Sequence, residues 1–79
     1  MDRDNIKELI KEILEEVDPL TLVEDDTELI GEILDSLSVL YLFSELQERL
    51  EIVIPMQEAT IENFSTVENV ATLVEKYLV

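Results

Sequence analysis

The pair Asp35-Ser36 places a carboxylate and a hydroxyl directly before a run of apolar residues with helical spacing. Aspartate and serine are both favoured helix N-caps, so the pair alone is explained by a capped helix start. Only one of the two can cap, however. If Asp35 does so, the hydroxyl of Ser36 is spare at the first helical position, where backbone N–H groups and the helix dipole favour a phosphate group. The pair is therefore either a cap alone or a cap beside a chemical attachment point.

A second candidate is the acidic stretch Glu24 to Glu28, which includes Asp25 and Asp26. Calcium-binding loops of the EF-hand type alternate acids around a central glycine, and this stretch has neither feature. No pocket-forming sequence surrounds an acid pair that could carry out hydrolysis. The stretch predicts a solvated loop with weak, non-specific divalent binding at most, and no metal site.

The usual residues of nucleophilic and acid–base catalysis are missing, because the 79 residues contain no cysteine and no histidine. Neither a thiolate nor an imidazole is available as a nucleophile, base or metal ligand. We therefore predict that the chain has no catalytic residues of its own and is not an enzyme.

The charge balance points to basic protein partners, because 20 acids face 5 bases and the net charge is −15. The bases are scattered along the chain, at Arg3, Lys7, Lys11, Arg49 and Lys76. Nucleic-acid binding needs basic residues gathered on one surface, so it is not expected.

The charged start and the absence of a long apolar run predict a cytoplasmic, non-exported protein without a membrane span.

The length sets the size of the core, because a chain this short buries only about 60% of its unfolded surface. We expect residues 1–79 to form a single domain. In the first part of the chain apolar residues recur with helical spacing, at Ile6, Leu9, Ile10, Ile13, Leu14 and Val17. Pro19 should end this helix, since the residue before a proline avoids helical geometry.

A long connection follows, from Asp18 to Asp35, in which no periodicity persists. A loop of this length in a small domain is normally packed by its own side chains or used in function. We expect Leu22, Leu29 and Ile30 to pin it across the helix ends.

The second helix should run from about Ser36 to Leu50. On a helical wheel one narrow arc carries the residues expected in the core, namely Val39, Leu42, Phe43, Leu46 and Leu50. Leu37 and Tyr41 then point away from the core, with Leu40 on the flank. Single exposed apolar residues need no explanation, but this group is also typical of a docking face for partner proteins. Its rim would be Ser44, Glu45 and Glu48.

The last third of the chain predicts an extended exit, in which Ile52 and Ile54 alternate inward, and at most one helical turn near Thr60 to Phe64. A final helix should begin at a capping box made by Ser65 and Glu68. The predicted fold is all-α, a small bundle of three main helices plus a short fourth helix, with a long loop between the first two.

Three motifs stand in register with these elements. Asp35-Ser36-Leu37 precedes the second helix, Ile54-Pro55 follows Leu37 by seventeen residues, and Phe64-Ser65-Thr66-Val67 precedes the last helix. Together they resemble the acyl and peptidyl carrier proteins over nearly the whole chain, in particular a free-standing carrier that depends on phosphopantetheine.

The resemblance implies a covalent cofactor, 4′-phosphopantetheine, transferred from coenzyme A to Ser36 by a phosphopantetheinyl transferase. Asp35 and Leu37 would assist recognition, and the outward face of the second helix would dock partners through Leu37, Leu40, Tyr41, Ser44, Glu45 and Glu48. The implied function is to hold acyl or aminoacyl intermediates as a thioester and to shuttle them, as a monomer, between a loading ligase and the synthases or transferases of a pathway.

Two departures from the fatty-acid carriers narrow this implication. Those carriers have acids where this chain has Ser38 and Tyr41, and their glycine lies closer to the serine motif than Gly31 does here. We therefore favour a specialised pathway for a secondary metabolite, a lipid or an aminoacyl group. The alternatives are a housekeeping fatty-acid carrier and, from another class, an unmodified acidic helical adaptor that binds a basic partner.

Overall fold

The three amphipathic segments of the sequence form three helices in the computed structural model, which describes residues 1–78. They are α1 (Arg3–Val17), α2 (Ser36–Leu50) and α3 (Val67–Tyr77), and a short 3₁₀ helix lies at Met56–Glu58. The predicted all-α bundle is confirmed, and α2 has the predicted bounds. In the described part of the chain, every helix is too short or too polar to cross a membrane.

Helix α1 begins and ends where side-chain chemistry requires. The carboxylate of Asp2 accepts a hydrogen bond from the backbone N–H of Asn5 at 2.8 Å and so satisfies one of the free donors of the first turn. The helix ends at Val17, two residues before Pro19, as predicted. Its buried residues lie along one stripe, at Ile6, Ile10, Ile13 and Leu14.

The core is a single apolar cluster to which all three helices contribute. Within it the ring of Phe64, which is fully buried, packs edge-to-face against the ring of Phe43. Their centroids are 6.2 Å apart. Of the arc predicted on α2, Leu42, Phe43 and Leu46 are buried, while Val39 and Leu50 pack partly buried against the cluster. The predicted inward direction of this arc is confirmed.

The loop between α1 and α2 is tied to the start of α3. Leu29 is buried, and its backbone N–H donates to the carbonyl of Ser65 at 2.8 Å. Ile30 is partly buried against the core, as predicted. The prediction for Leu22 is wrong, because its side chain is 82% exposed. Val23 packs against the core instead, and in an extended segment neighbouring side chains point in opposite directions.

The start of α3 also differs from the prediction. The N-cap is Thr66, whose hydroxyl accepts from the N–H of Asn69 at 3.1 Å, so the capping box of Ser65 and Glu68 is wrong. The hydroxyl of Ser65 closes the preceding turn by donating to the carbonyl of Glu62. The carboxylate of Glu68 pairs with basic side chains of α1 instead of bonding back to the helix start.

This arrangement predicts different costs for two neighbouring substitutions. Thr66→Ala should lower the free energy of unfolding by about 1 kcal/mol, because it removes the cap of α3. Ser65→Ala, the matched control, should cost less, because the two bonds it removes, to the carbonyl of Glu62 and from the side-chain amide of Asn69, are both exposed. Urea denaturation followed by circular dichroism measures both values. A larger loss for Ser65→Ala would contradict the assignment of the cap.

The segment between α2 and α3 follows the prediction in its first half. Ile54 is buried, Ile52 is partly buried and Val53 is exposed. Near Thr60 to Phe64 the expected single turn is closed by the N–H of Phe64, which donates to the carbonyl of Thr60 at 3.2 Å. The short fourth helix lies earlier, as the 3₁₀ turn at Met56–Glu58. It starts after Pro55, whose fixed φ suits a helix start.

All five basic side chains of the sequence are held in ion pairs with carboxylates. The pairs are Arg3 with Glu68 and Glu75, Lys7 with Asp25 and Glu68, Lys11 with Asp25, Arg49 with Glu16 and Glu45, and Lys76 with Glu58. They join α1 to the acidic loop, to α2 and to α3, and they join α3 to the 3₁₀ helix, while the pair of Arg49 with Glu45 lies within α2. Individually such surface pairs add little stability.

Candidate functional site

Asp35 is the N-cap of α2. Its backbone is extended, and its Oδ1 accepts a hydrogen bond from the backbone N–H of Ser38 at 2.9 Å. That N–H and the hydroxyl of Ser38 hold the pKa of the Asp35 carboxyl below its usual value. The carboxylate therefore stays charged at the positive end of the helix, and of the two candidate caps, Asp35 and Ser36, the helix uses Asp35.

Ser36 is the first residue of α2, and its side chain is exposed. Within residues 1–78 its hydroxyl has no hydrogen-bond partner. The preceding turn fixes its position: Gly31 adopts a positive φ of 87°, and the N–H of Leu34 donates to the carbonyl of Leu29 at 2.8 Å. Because Leu34 is buried directly before the cap, the chain delivers the serine hydroxyl to the surface at an anchored point.

An apolar groove of about 290 Å³ begins at Ser36. One wall is formed by Val39 and Leu40 of α2, and the other by the turn that follows the 3₁₀ helix. The residues of that second wall are Ala59, Thr60 and Ile61. These three residues were not predicted from the sequence as part of the site. The available signal was Ile61, an isolated large apolar residue in a polar turn.

The outward direction of the predicted docking residues is confirmed. Leu37 is 78% exposed, and Leu40 and Tyr41 are each exposed by more than two-fifths. Ser44 and Glu48 are exposed as well. Residues three and four apart share one side of a helix, so these side chains form a continuous strip that starts one residue after Ser36. We call this strip the α2 face; it comprises Leu37, Leu40, Tyr41, Ser44, Glu45 and Glu48.

A hydrogen-bonded network connects the α2 face to α1. The hydroxyl of Tyr41 donates to Glu16 Oε1 at 2.8 Å, and Arg49 Nη2 donates to both carboxylate oxygens of Glu16. Arg49 also bonds Glu45, its neighbour one turn earlier on α2. Arg49 and Tyr41 lower the pKa of Glu16, while the carboxylate raises the pKa of Tyr41. Glu45 is thus already paired with Arg49, and Glu16 is the partner of Tyr41 and Arg49. Neither Glu16 nor Arg49 was predicted from the sequence as part of this network.

The acidic loop is used for structure. Asp25 accepts from Lys7 at 3.0 Å and contacts Lys11 at 2.8 Å, and these two amines lower the pKa of its carboxyl. Its carbonyl accepts from the N–H of Glu68 at 3.2 Å. Within the described residues, no group of three or more potential ligands is placed to hold a metal ion.

The chain was compared with models of known protein families. The model described as the phosphopantetheine attachment site matches residues 4–74. The chain belongs to this family. The resemblance to carrier proteins is thereby confirmed, and so is 4′-phosphopantetheine as the group that such a domain bears covalently. Carrier domains of this family are non-catalytic, and they interact with transferases and synthases. No curated protein and no solved structure matches the chain.

Proposed function

We propose that Ser36 of this carrier domain is the residue to which 4′-phosphopantetheine is attached. The observation that supports the proposal is that the cap of α2 and the exposed hydroxyl belong to two different residues. Asp35 provides the cap, so the hydroxyl of Ser36 is exposed and makes no hydrogen bond within residues 1–78. When bound, the arm supplies the thiol that carries acyl or aminoacyl cargo as a thioester.

The attachment reaction uses the Ser36 oxygen as the nucleophile. This oxygen attacks the phosphorus of coenzyme A nearest to pantetheine, a phosphodiester bond forms, and the pyrophosphate P–O bond breaks. Adenosine 3′,5′-bisphosphate leaves, and the hydroxyl proton passes to a base of the transferase. The free N–H groups of the first turn of α2 favour a phosphate at this position.

The surroundings of Ser36 fit such a group. The hydroxyl opens toward solvent, and the apolar groove that starts beside it offers Val39, Leu40 and Ile61 as contacts for a flexible arm. The phosphate and the arm thus each find a suitable environment, the first at the helix terminus and the second along the groove.

We further propose that the α2 face docks the transferase, a loading ligase and the pathway's synthases. The strip is poor in free carboxylates near Ser36, because its first acid, Glu45, is paired with Arg49. This supports a specialised pathway over housekeeping fatty-acid synthesis, in which acids near the serine meet basic partners. The net charge of −15 opposes self-association and supports a monomer, and we expect it to act in the cytoplasm.

Mass spectrometry tests the attachment. The purified protein is incubated with coenzyme A and a promiscuous phosphopantetheinyl transferase, and its intact mass is measured. We expect the addition of one phosphopantetheine per chain, located on Ser36 by fragmentation of the modified peptide. No mass gain with several different transferases, or attachment at another residue, would overturn the proposal.

A further inference from the structure

The loop after α1 exposes two leucines that the carrier function does not explain. Leu20 is 94% exposed and Leu22 is 82% exposed. Together with Pro19, Thr21 and Val23 they line a groove of about 420 Å³, whose other side is formed by Lys11 and Glu15 of α1. We call this surface the loop patch; it comprises residues 19–23, Lys11 and Glu15. It shares no residue with the α2 face or with the groove at Ser36.

The leucines are held in these positions by hydrogen bonds. The carboxylate of Asp18 accepts from the backbone N–H of Leu20 at 3.1 Å and from the hydroxyl of Thr21 at 2.6 Å. Pro19 restricts the backbone between them. The loop therefore presents its apolar side chains from a fixed turn, and a partner that binds them meets an already ordered surface.

The charge around the loop patch is strongly negative. Residues 11–28 contain eight acids and one base, Lys11, which is itself paired with Asp25. Glu12, Glu15 and Glu24 take part in no ion pair among the described residues. Glu15 lines the groove, and Glu12 and Glu24 are next in sequence to the lining residues Lys11 and Val23. Apolar side chains beside such carboxylates are complementary to an apolar segment that carries lysine or arginine on its edges.

The same charge argues against other occupants. A second copy of the chain would bring a net charge of −15 to the same surface, and nucleic acid or an anionic lipid would also be repelled. We propose that the loop patch is a second docking site, which binds a partner protein through a basic amphipathic segment. This inference concerns a surface separate from Ser36 and holds with or without the attached arm.

A peptide titration followed by NMR tests the proposal. The probe is a synthetic amphipathic helix of leucine and lysine, added to the ¹⁵N-labelled domain. We expect saturable shifts of the amide signals centred on residues 20–23 and Glu15. The double variant Leu20→Ser/Leu22→Ser should weaken binding by about tenfold or more, because it removes both apolar contacts. Since both side chains are exposed, this variant should keep the dispersed spectrum of the folded domain.

Two controls distinguish specific binding at the loop patch from non-specific binding of the peptide. The matched variant Leu37→Ser/Leu40→Ser removes two leucines from the α2 face and should leave the affinity nearly unchanged. A leucine and glutamate peptide of the same length should not bind. The proposal fails if no saturable binding occurs, if the shifts centre on α2, if both double variants behave alike, or if the acidic peptide binds equally well. It also fails if sedimentation shows that the loop patch joins two copies of the chain.

Discussion

Replacing Ser36 with alanine is expected to abolish the transfer of 4′-phosphopantetheine while changing the free energy of unfolding by less than about 0.5 kcal/mol. The reaction needs the serine oxygen, and no other group replaces it at the start of α2. The fold does not need it, because Asp35 caps the helix and alanine is a strong helix former. Intact mass after incubation with coenzyme A and a transferase measures the first effect, and urea denaturation measures the second.

Two neighbouring serines serve as matched controls for this experiment. Ser38 is on the first turn of α2 and Ser44 is two turns further along, on the α2 face. Ser44→Ala and Ser38→Ala should both remain substrates, and Ser38→Ala keeps the backbone N–H that donates to Asp35. Full modification of Ser36→Ala, or loss of modification in Ser44→Ala with Ser36→Ala unaffected, would contradict the assignment.

Truncating Phe64 to alanine is expected to lower the free energy of unfolding by about 3–5 kcal/mol. The side chain is fully buried, and its ring packs edge-on against Phe43 at a centroid distance of 6.2 Å. A chain this short has a small core and a total stability near the lower end of the usual range of about 5–15 kcal/mol, so this one change should leave a large share of the molecules unfolded near physiological temperature. Thermal and urea denaturation measure the loss.

Ile61→Ala provides the control for Phe64→Ala. Ile61 is in the same turn, three residues earlier, but it is 71% exposed, so its removal should cost no more than about 0.5 kcal/mol. Phe64→Leu should fall between the two, because it keeps much of the apolar volume. If Phe64→Ala and Ile61→Ala cost the same, Phe64 does not occupy the centre of the core.

The helices could be predicted from the sequence because their signals are local. The wheel positions of α2 correctly assign Leu42 to the core and Leu37 to the surface, since the direction of a side chain on a helix follows from its number alone. The loop lacks such a period. In an extended segment alternate side chains face the core. Whether Leu22 or Val23 does so is decided by the contacts of the loop with the core.

The N-cap of α3 shows a second limit of prediction from the sequence. Ser65 and Thr66 are both favourable N-caps, and local preference does not separate them. Long-range bonds separate the two. The carbonyl of Ser65 accepts from the N–H of Leu29, and the carboxylate of Glu68 is bound by Lys7. These contacts join segments more than thirty residues apart in the sequence.

The residues of the candidate site that belong to the start of α2 could be predicted from the sequence. Those contributed by distant segments could not. Asp35 and Ser36 could be identified from their order before the helix. The groove wall at Ala59 to Ile61 and the bond from Tyr41 to Glu16 depend on how separate elements pack. The loop patch could not be predicted for the same reason, because Leu22 is expected to pin the loop until the packing of the loop is known.

The ion pairs of the lysines bear on how long cargo survives. Thioesters react readily with neutral amines, so an uncharged lysine near the arm would be a route for self-acylation. Hydrogen bonds with Glu68 and Asp25 raise the pKa of Lys7, and the bond with Glu58 raises the pKa of Lys76. An ordinary lysine is already almost fully protonated at neutral pH, and these ion pairs lower its small neutral fraction further. If an arm on Ser36 carries a thioester, these two amines are therefore poor nucleophiles toward it.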